Sequence, residues 1–190
     1  MKKVVKFLSF LLAVGLVLSF ISCSSTPKYS SPPESLKKKT AEMLKDGKFY
    51  PVYGVSSNLP ITSQARDVAA VNARIEISTI VVSAVDGMVD DYSEANQIDP
   101  ARSKAFATRC STILTKAEFS GSRIVDEGPA KSGNGDYWVL MSVPASVVYK
   151  AVDQAIEQAK REEADKVFNG FKKKDEKVKE YFGDRINQRE

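Results

Sequence analysis

The chain has 190 residues, with 28 Lys and Arg, 24 Asp and Glu, two cysteines and no histidine. Histidine is the commonest general base and the commonest metal ligand, so its absence argues against most hydrolytic and metal chemistry. Neither a Gly-rich phosphate loop nor a G-x-S-x-G elbow occurs in the sequence. We therefore expect a protein that is not an enzyme, with no catalytic residues, no metal site and no cofactor.

The first residues have the pattern of an export signal. Three lysines precede an uncharged, mostly apolar run at residues 7–21. That run is shorter than the about 20 residues that cross a bilayer, and it suits the apolar region of a signal peptide. The following Phe20-Ile21-Ser22-Cys23 resembles a relaxed lipobox. We expect lipidation of the Cys23 thiol with diacylglyceryl, cleavage before Cys23, and acylation of the freed amine, for example with palmitate.

Processing changes the charge balance of the chain. Loss of residues 1–22 removes three lysines and no acid, which leaves 25 Lys and Arg against 24 Asp and Glu, a net charge of +1. This near-neutral chain offers no electrostatic case for binding nucleic acid. With Cys23 lipidated, Cys110 has no partner for an intrachain disulfide, and we interpret it as a small buried hydrophobe.

The composition divides the chain into four parts. Residues 1–22 form the predicted signal peptide, and residues 23–35 form the lipidated cysteine and a tether rich in Ser and Pro. Residues 36–182 are predicted to form one domain, and residues 183–190 a tail. The stretch after Lys172 is too charged to suggest a core, and it is expected either to project as a helix or to fray.

The domain begins with a predicted short helix through Leu36 that ends near Gly47. Phe49–Ser56 is aromatic and β-branched and predicts a strand. Pro51 places that strand at the edge of its sheet or early in it, because proline donates no ladder hydrogen bond.

A long helix is the clearest pattern in the chain. Thr62 or Ser63 can cap it, and the polar residues 90–100 should interrupt it. Its apolar residues recur at four-residue steps at Ala65, Ala69, Ala73, Ile77, Val81 and Val85. The alanines in its first half predict a close approach to whatever the helix covers. The acidic residues between 90 and 99 lack EF-hand spacing, so we interpret them as a solvated loop.

The second half of the domain predicts a helix at about 101–114, strands at 119–126 and 137–143, and a turn-rich connection between them. The strands should pair as an antiparallel hairpin. The later strand is apolar on both faces and is therefore predicted to be central. From Ser146 a helical stripe runs on to Phe171, and Gly183 is a predicted helix stop.

This order predicts an α+β fold, in which a small antiparallel sheet of about three strands is covered on one face by two long helices.

Several of these segments resemble a known family. They are Val52-Tyr53-Gly54-Val55, Ala65-Arg66, Ala69, Ala73-Arg74 and Tyr137-Trp138-Val139-Leu140. With the lipidated cysteine, they resemble the LPP-twenty family of outer-membrane lipoproteins, whose α/β module is shared with the N-terminal domain of a flagellar ring assembly protein. The resemblance covers roughly residues 49–160. It implies a surface or periplasmic lipoprotein without agreed catalytic residues, tied in some members to flagella or the envelope.

We therefore expect an envelope lipoprotein attached to a membrane through Cys23. Ser24 replaces the Asp that retains some lipoproteins at the inner membrane, so the outer membrane is favoured, with the folded domain periplasmic or at the cell surface. The expected partner is an envelope protein or a second copy of the chain.

An alternative is a lipoprotein that binds a small molecule or glycan on an aromatic-lined sheet. Its candidate binding residues are Tyr50, Tyr53, Tyr137 and Trp138. Aromatic residues on strands are also common in cores and cross-strand pairs, and both interpretations remain open at this point.

Overall fold

The computed structural model describes residues 30–130, 135–164 and 166–189. Within these residues the elements are α1 (Glu34–Asp46), β1 (Phe49–Ser56), α2 (Thr62–Ala95), α3 (Pro100–Leu114), β2 (Arg123–Pro129), β3 (Tyr137–Pro144), α4 (Ala145–Arg161) and α5 (Asp175–Asn187). The predicted α+β fold is confirmed. The predicted signal peptide and lipidation site lie outside the described residues.

The sheet is antiparallel and has the order β1-β3-β2. The apolar strand β3 is central, as its two apolar faces predict, and Pro51 lies on the edge strand β1. β2 pairs with β3 as predicted but begins at Arg123, four residues later than expected. The reason is a turn closed by the Ser122 amide, which donates to the Phe119 carbonyl, with Gly121 at a φ of 83°.

Helices cover both faces of the sheet. On one face, Val52 and Met141 pack in the larger core, with residues of α2, α3, α4 and α5. On the other face, Tyr53 and Leu140 pack with Leu36 of α1. The two long helices α2 and α4 therefore share one side of the sheet, and the short α1 closes the opposite side.

Helix α2 approaches the sheet very closely at Gly54. A Cβ added there would lie 1.9 Å from the Ala69 carbonyl oxygen and 2.5 Å from the Ala73 nitrogen. Two hydrogen bonds hold the same contact, since Ser56 Oγ donates to the Ala65 carbonyl at 2.7 Å and Asn72 Nδ2 donates to the Val55 carbonyl at 2.7 Å. The predicted close approach of the alanine half of α2 is confirmed.

The ends of α2 differ from the prediction. The helix begins at Thr62 itself, after Ile61, and no side chain caps it. It runs on to Ala95, so the predicted interruption at residue 90 is wrong. Val89 and Ser93 are buried, and this keeps the polar stretch helical while its charged residues face solvent. The following helix is capped by Asp99, whose Oδ1 accepts from the backbone amides that open α3.

The helical stripe predicted from Ser146 to Phe171 is not one helix. α4 ends at Arg161, and Phe168 and Phe171 lie on an irregular segment with turns. Both rings are nevertheless buried, and Phe168 stacks on Phe106 with ring centroids 4.1 Å apart. The apolar pattern identified core residues correctly, but the backbone that carries them changes direction.

The charged C-terminal stretch belongs to the core. In α5, Val178, Phe182 and Ile186 recur every four residues and are all buried. Phe182 stacks on Tyr50 with ring centroids 4.3 Å apart. The helix runs through Gly183, so the predicted stop there is wrong, and α5 crosses the domain boundary that the sequence placed after residue 182. Acidic residues in its first turn and a basic residue in its last complement the helix dipole.

The contact at Gly54 gives a direct prediction. We expect Gly54→Ala to lower the free energy of unfolding by about 3 kcal/mol, because the atoms that the methyl meets are backbone and cannot turn aside. Urea denaturation of the variant and the wild type measures this change.

The matched control is Gly128→Ala on β2, where an added Cβ meets nothing within 4 Å. We expect it to change stability by less than about 0.5 kcal/mol. Equal effects of the two variants would contradict the close contact.

Candidate protein-binding surface

The four aromatic residues predicted as a binding surface do not form one. Tyr50, Tyr53 and Trp138 are buried, and only Tyr137 is partly exposed. Residues 50 and 53 are an odd number apart on β1, so their side chains point to opposite faces of the sheet. The interpretation as a binding surface is therefore wrong for the three buried rings, and their interpretation as core residues is confirmed.

The buried rings are held by specific contacts. Tyr53 meets Trp138 edge to face at 5.7 Å and accepts a hydrogen bond from Thr40 Oγ1 at 2.8 Å. The hydroxyl groups of Tyr50 and Tyr149 lie 2.6 Å apart. Burial, and then this hydrogen bond, raise the pKa of Tyr50 well above its ordinary value. Tyr50 and Tyr53 are therefore fixed parts of the core.

The remaining thiol is also structural. Cys110 is fully buried in the larger core. Burial, and then the nearby charge of Asp86, raise the pKa of Cys110 to about 12, so the thiol stays protonated. This confirms its interpretation as a small buried hydrophobe. Over the described ranges, no group of three or more Cys, Asp or Glu side chains is arranged to hold a metal ion.

A groove with a volume of about 850 Å³ lies between α3 and α4. It is open to solvent, and its walls carry charges of both signs, with Arg109 on α3, Lys116 in the turn after α3, and Asp153 and Glu157 on α4. A small-molecule site is usually a concave apolar pocket with a few convergent polar groups. This groove lacks that arrangement, so it does not support the small-molecule or glycan alternative.

The most unusual surface is the outer face of α2. Val68, Val71 and Ile75 are 42%, 51% and 58% exposed. Their spacing of three and four residues places them side by side on one face of the helix. We call these three residues the outer stripe. It lies on the side of α2 opposite Ala69 and Ala73, which pack on the sheet.

Neighbouring helices cover other parts of α2. α3 runs beside its second half, where Ser111 Oγ donates to Asp86 at 3.0 Å. α5 meets α2 through an ion pair between Arg185 and Glu76. These contacts leave the outer stripe in solvent. By length and composition alone α2 could cross a membrane, but a core helix passes the same test, and α2 has twelve residues buried in the domain.

Two charged residues border the outer stripe on one side. Asp67 has a side chain that is 76% exposed, and its nearest cation is Arg66 at 3.9 Å. Arg66 is itself held by Glu127, to which its Nε donates at 2.7 and 2.9 Å. Arg74 is exposed and forms no ion pair within the described part of the chain. Asp67 and Arg74, one anionic and one cationic, are therefore open to a partner.

A separate polar site holds Ser30 against the domain. The Asp136 carboxylate is buried and accepts from the Ser30 amide at 2.8 Å, from Ser30 Oγ at 2.6 Å and from Ser57 Oγ at 2.5 Å. Burial pushes the pKa of Asp136 upward, but these hydrogen bonds outweigh it and hold the pKa below its ordinary value. Asp136 thus attaches Ser30, which lies within the predicted tether, to the domain. We call these hydrogen bonds to Asp136 the latch.

Comparison with protein-family models, with curated proteins and with solved structures finds no match. The resemblance to the LPP-twenty family therefore stays a prediction.

The latch predicts a pH-dependent contribution to stability. We expect Asp136→Asn to lower the free energy of unfolding at neutral pH by about 1–3 kcal/mol, because it removes a charged acceptor of three hydrogen bonds. Because the pKa of Asp136 is lower in the folded state, the contribution is full above the ordinary value of 3.8 and is lost as the pH falls through the folded pKa.

Urea denaturation at pH 7 and near pH 3 measures the difference between wild type and variant. The control is Asp67→Asn, which changes a side chain that is mostly exposed. If the free energy of unfolding of Asp136→Asn falls further below that of wild type near pH 3 than at pH 7, the latch is contradicted.

Proposed function

We propose that this chain is a bacterial envelope lipoprotein that is not an enzyme. In this proposal lipid on Cys23 attaches it to the outer membrane, and its folded domain is periplasmic or at the cell surface. The domain binds another protein through the outer stripe. The observation that carries the binding part is the exposure of Val68, Val71 and Ile75 on a helix whose opposite face packs on the sheet.

The sequence around Cys23 supports the anchor. A basic start, an apolar run and a relaxed lipobox occur in the order that export and lipidation need. Two or three acyl chains on one cysteine supply the two lipid signals that stable anchoring requires. Ser30 is held at Asp136, and the seven residues 23–29 can span at most about 25 Å. In this proposal the latch therefore keeps that end of the domain close to the membrane.

The outer stripe supports protein binding. Single exposed aliphatic residues are ordinary, but a contiguous apolar patch with a polar border marks an interaction surface. Three β-branched side chains lie side by side here, with Asp67 and Arg74 at their border. Burial of this patch against a partner would remove apolar surface from water and let two charges select that partner.

The anchor is tested by the intact mass of protein extracted from membranes. We expect wild type to begin at Cys23 and to carry added acyl mass. Cys23→Ala should lack that mass, because the thiol that accepts the lipid is gone. An unlipidated or uncleaved wild-type chain would overturn the anchor.

The binding surface is tested with a photo-crosslinking amino acid in place of Val71, in cells that make the full-length chain. We expect a crosslinked protein adduct, because position 71 is the centre of the outer stripe. The same amino acid in place of exposed Lys104 on α3 should give no such adduct. Crosslinks from position 71 to lipid alone, or none, would overturn the protein-binding function.

A further inference from the structure

We propose that the outer stripe binds a second copy of this chain, with the two α2 helices packed antiparallel. This inference rests on the proposed function of the outer stripe as a protein-binding surface. It assigns the partner, the orientation and the register.

The spacing of the exposed residues fits a helix pair. Ile61, Val68 and Ile75 are seven residues apart, and Val71 follows Val68 by three. Ile61, just before the helix, is also exposed. Apolar residues at this spacing form the seam along which two helices pack. An antiparallel pair centred near residue 70 places Val68 of each copy against Val71 of the other.

The bordering charges select this register. Asp67 and Arg74 are seven residues apart, so they lie on the same border of the seam. In the antiparallel pair, Asp67 of each copy faces Arg74 of the other, which makes two reciprocal ion pairs. In a parallel pair the same residues would face Asn72 and Thr79, which carry no charge. Charge complementarity therefore favours a second copy in the antiparallel orientation.

Other occupants fit the stripe less well. Residues 23–29 of the predicted mature chain include one large apolar side chain, Tyr29, which is too little to cover three exposed aliphatic residues. A bilayer surface would favour aromatic side chains and cations beside the apolar residues. The outer stripe has no aromatic residue, and the anionic Asp67 borders it.

The size of the interface predicts where dimers form. Stable interfaces bury about 800 Å² per partner, and a seam of a few aliphatic side chains is smaller. We therefore expect weak association in free solution. Attachment of both copies to one membrane raises their effective concentration, so the dimer should form on the membrane.

The test uses charge reversal in the lipidated full-length protein, reconstituted in phosphatidylethanolamine–phosphatidylglycerol vesicles. Asp67→Arg and Arg74→Asp are made separately, and energy transfer between donor-labelled and acceptor-labelled copies reports association. Each variant alone places like charges at both pairs, so we expect its association to weaken about tenfold. Mixing the two variants restores both ion pairs, and energy transfer should return to the wild-type level.

The mixture separates this inference from the proposed function. Recovery on mixing also shows that both variants are folded, and it supports the antiparallel dimer. No recovery, or no energy transfer in wild type, overturns the dimer. If position 71 still crosslinks to a different protein in cells, the protein-binding function stands without the dimer. If position 71 crosslinks to lipid alone, the protein-binding function is overturned as well.

Discussion

The approach of α2 to β1 at Gly54 is the constraint on which the rest of the structure depends. The Ala69 carbonyl and the Ala73 amide occupy the space that any side chain at position 54 would need. Small residues must therefore face the sheet along the first half of this helix. The bulky aliphatic residues of the same half then lie outside, which reverses the usual arrangement of an amphipathic surface helix. The exposed outer stripe is thus a consequence of how closely the helix packs on its inner side.

Farther along α2 the space between helix and neighbours widens, and larger residues fill it. Ile77, Val81 and Val85 share a core with the rings of Phe106 and Phe168. α5 closes the open edge beside β1 by stacking Phe182 on a tyrosine of that strand. The opposite side of the sheet holds a separate small cluster under α1. The domain is therefore supported from both sides of the sheet, while the first half of α2 keeps a free outer face.

Local sequence pattern predicted the α+β class, the central position of β3 and the small contact face of α2, because each depends on periodicity or residue size. It did not predict that α5 belongs to the core, since charges around Val178 and Ile186 hid a four-residue apolar repeat. The outer stripe was not predicted for a related reason. α2 is apolar on two sides, and the four-residue repeat that predicted the helix identifies only the side that faces the sheet. The latch could not be predicted, because Ser30 and Asp136 are 106 residues apart. By contrast, the sequence alone is enough to predict that the side chains of Tyr50 and Tyr53 point to opposite faces of the sheet, because side chains alternate along a strand.

The most direct measurement for this account is the distance between spin labels in membrane-bound protein. Cys110 is buried, so a cysteine introduced at Thr79 or Ser83 can be labelled selectively. In an antiparallel pair centred near residue 70, the two labels lie about 27 Å apart along the helix axis at position 79 and about 39 Å apart at position 83. A label-to-label distance that is about 12 Å longer at position 83 than at position 79 supports the antiparallel α2 pair. Equal distances at both positions, or no dipolar coupling at either, would contradict it.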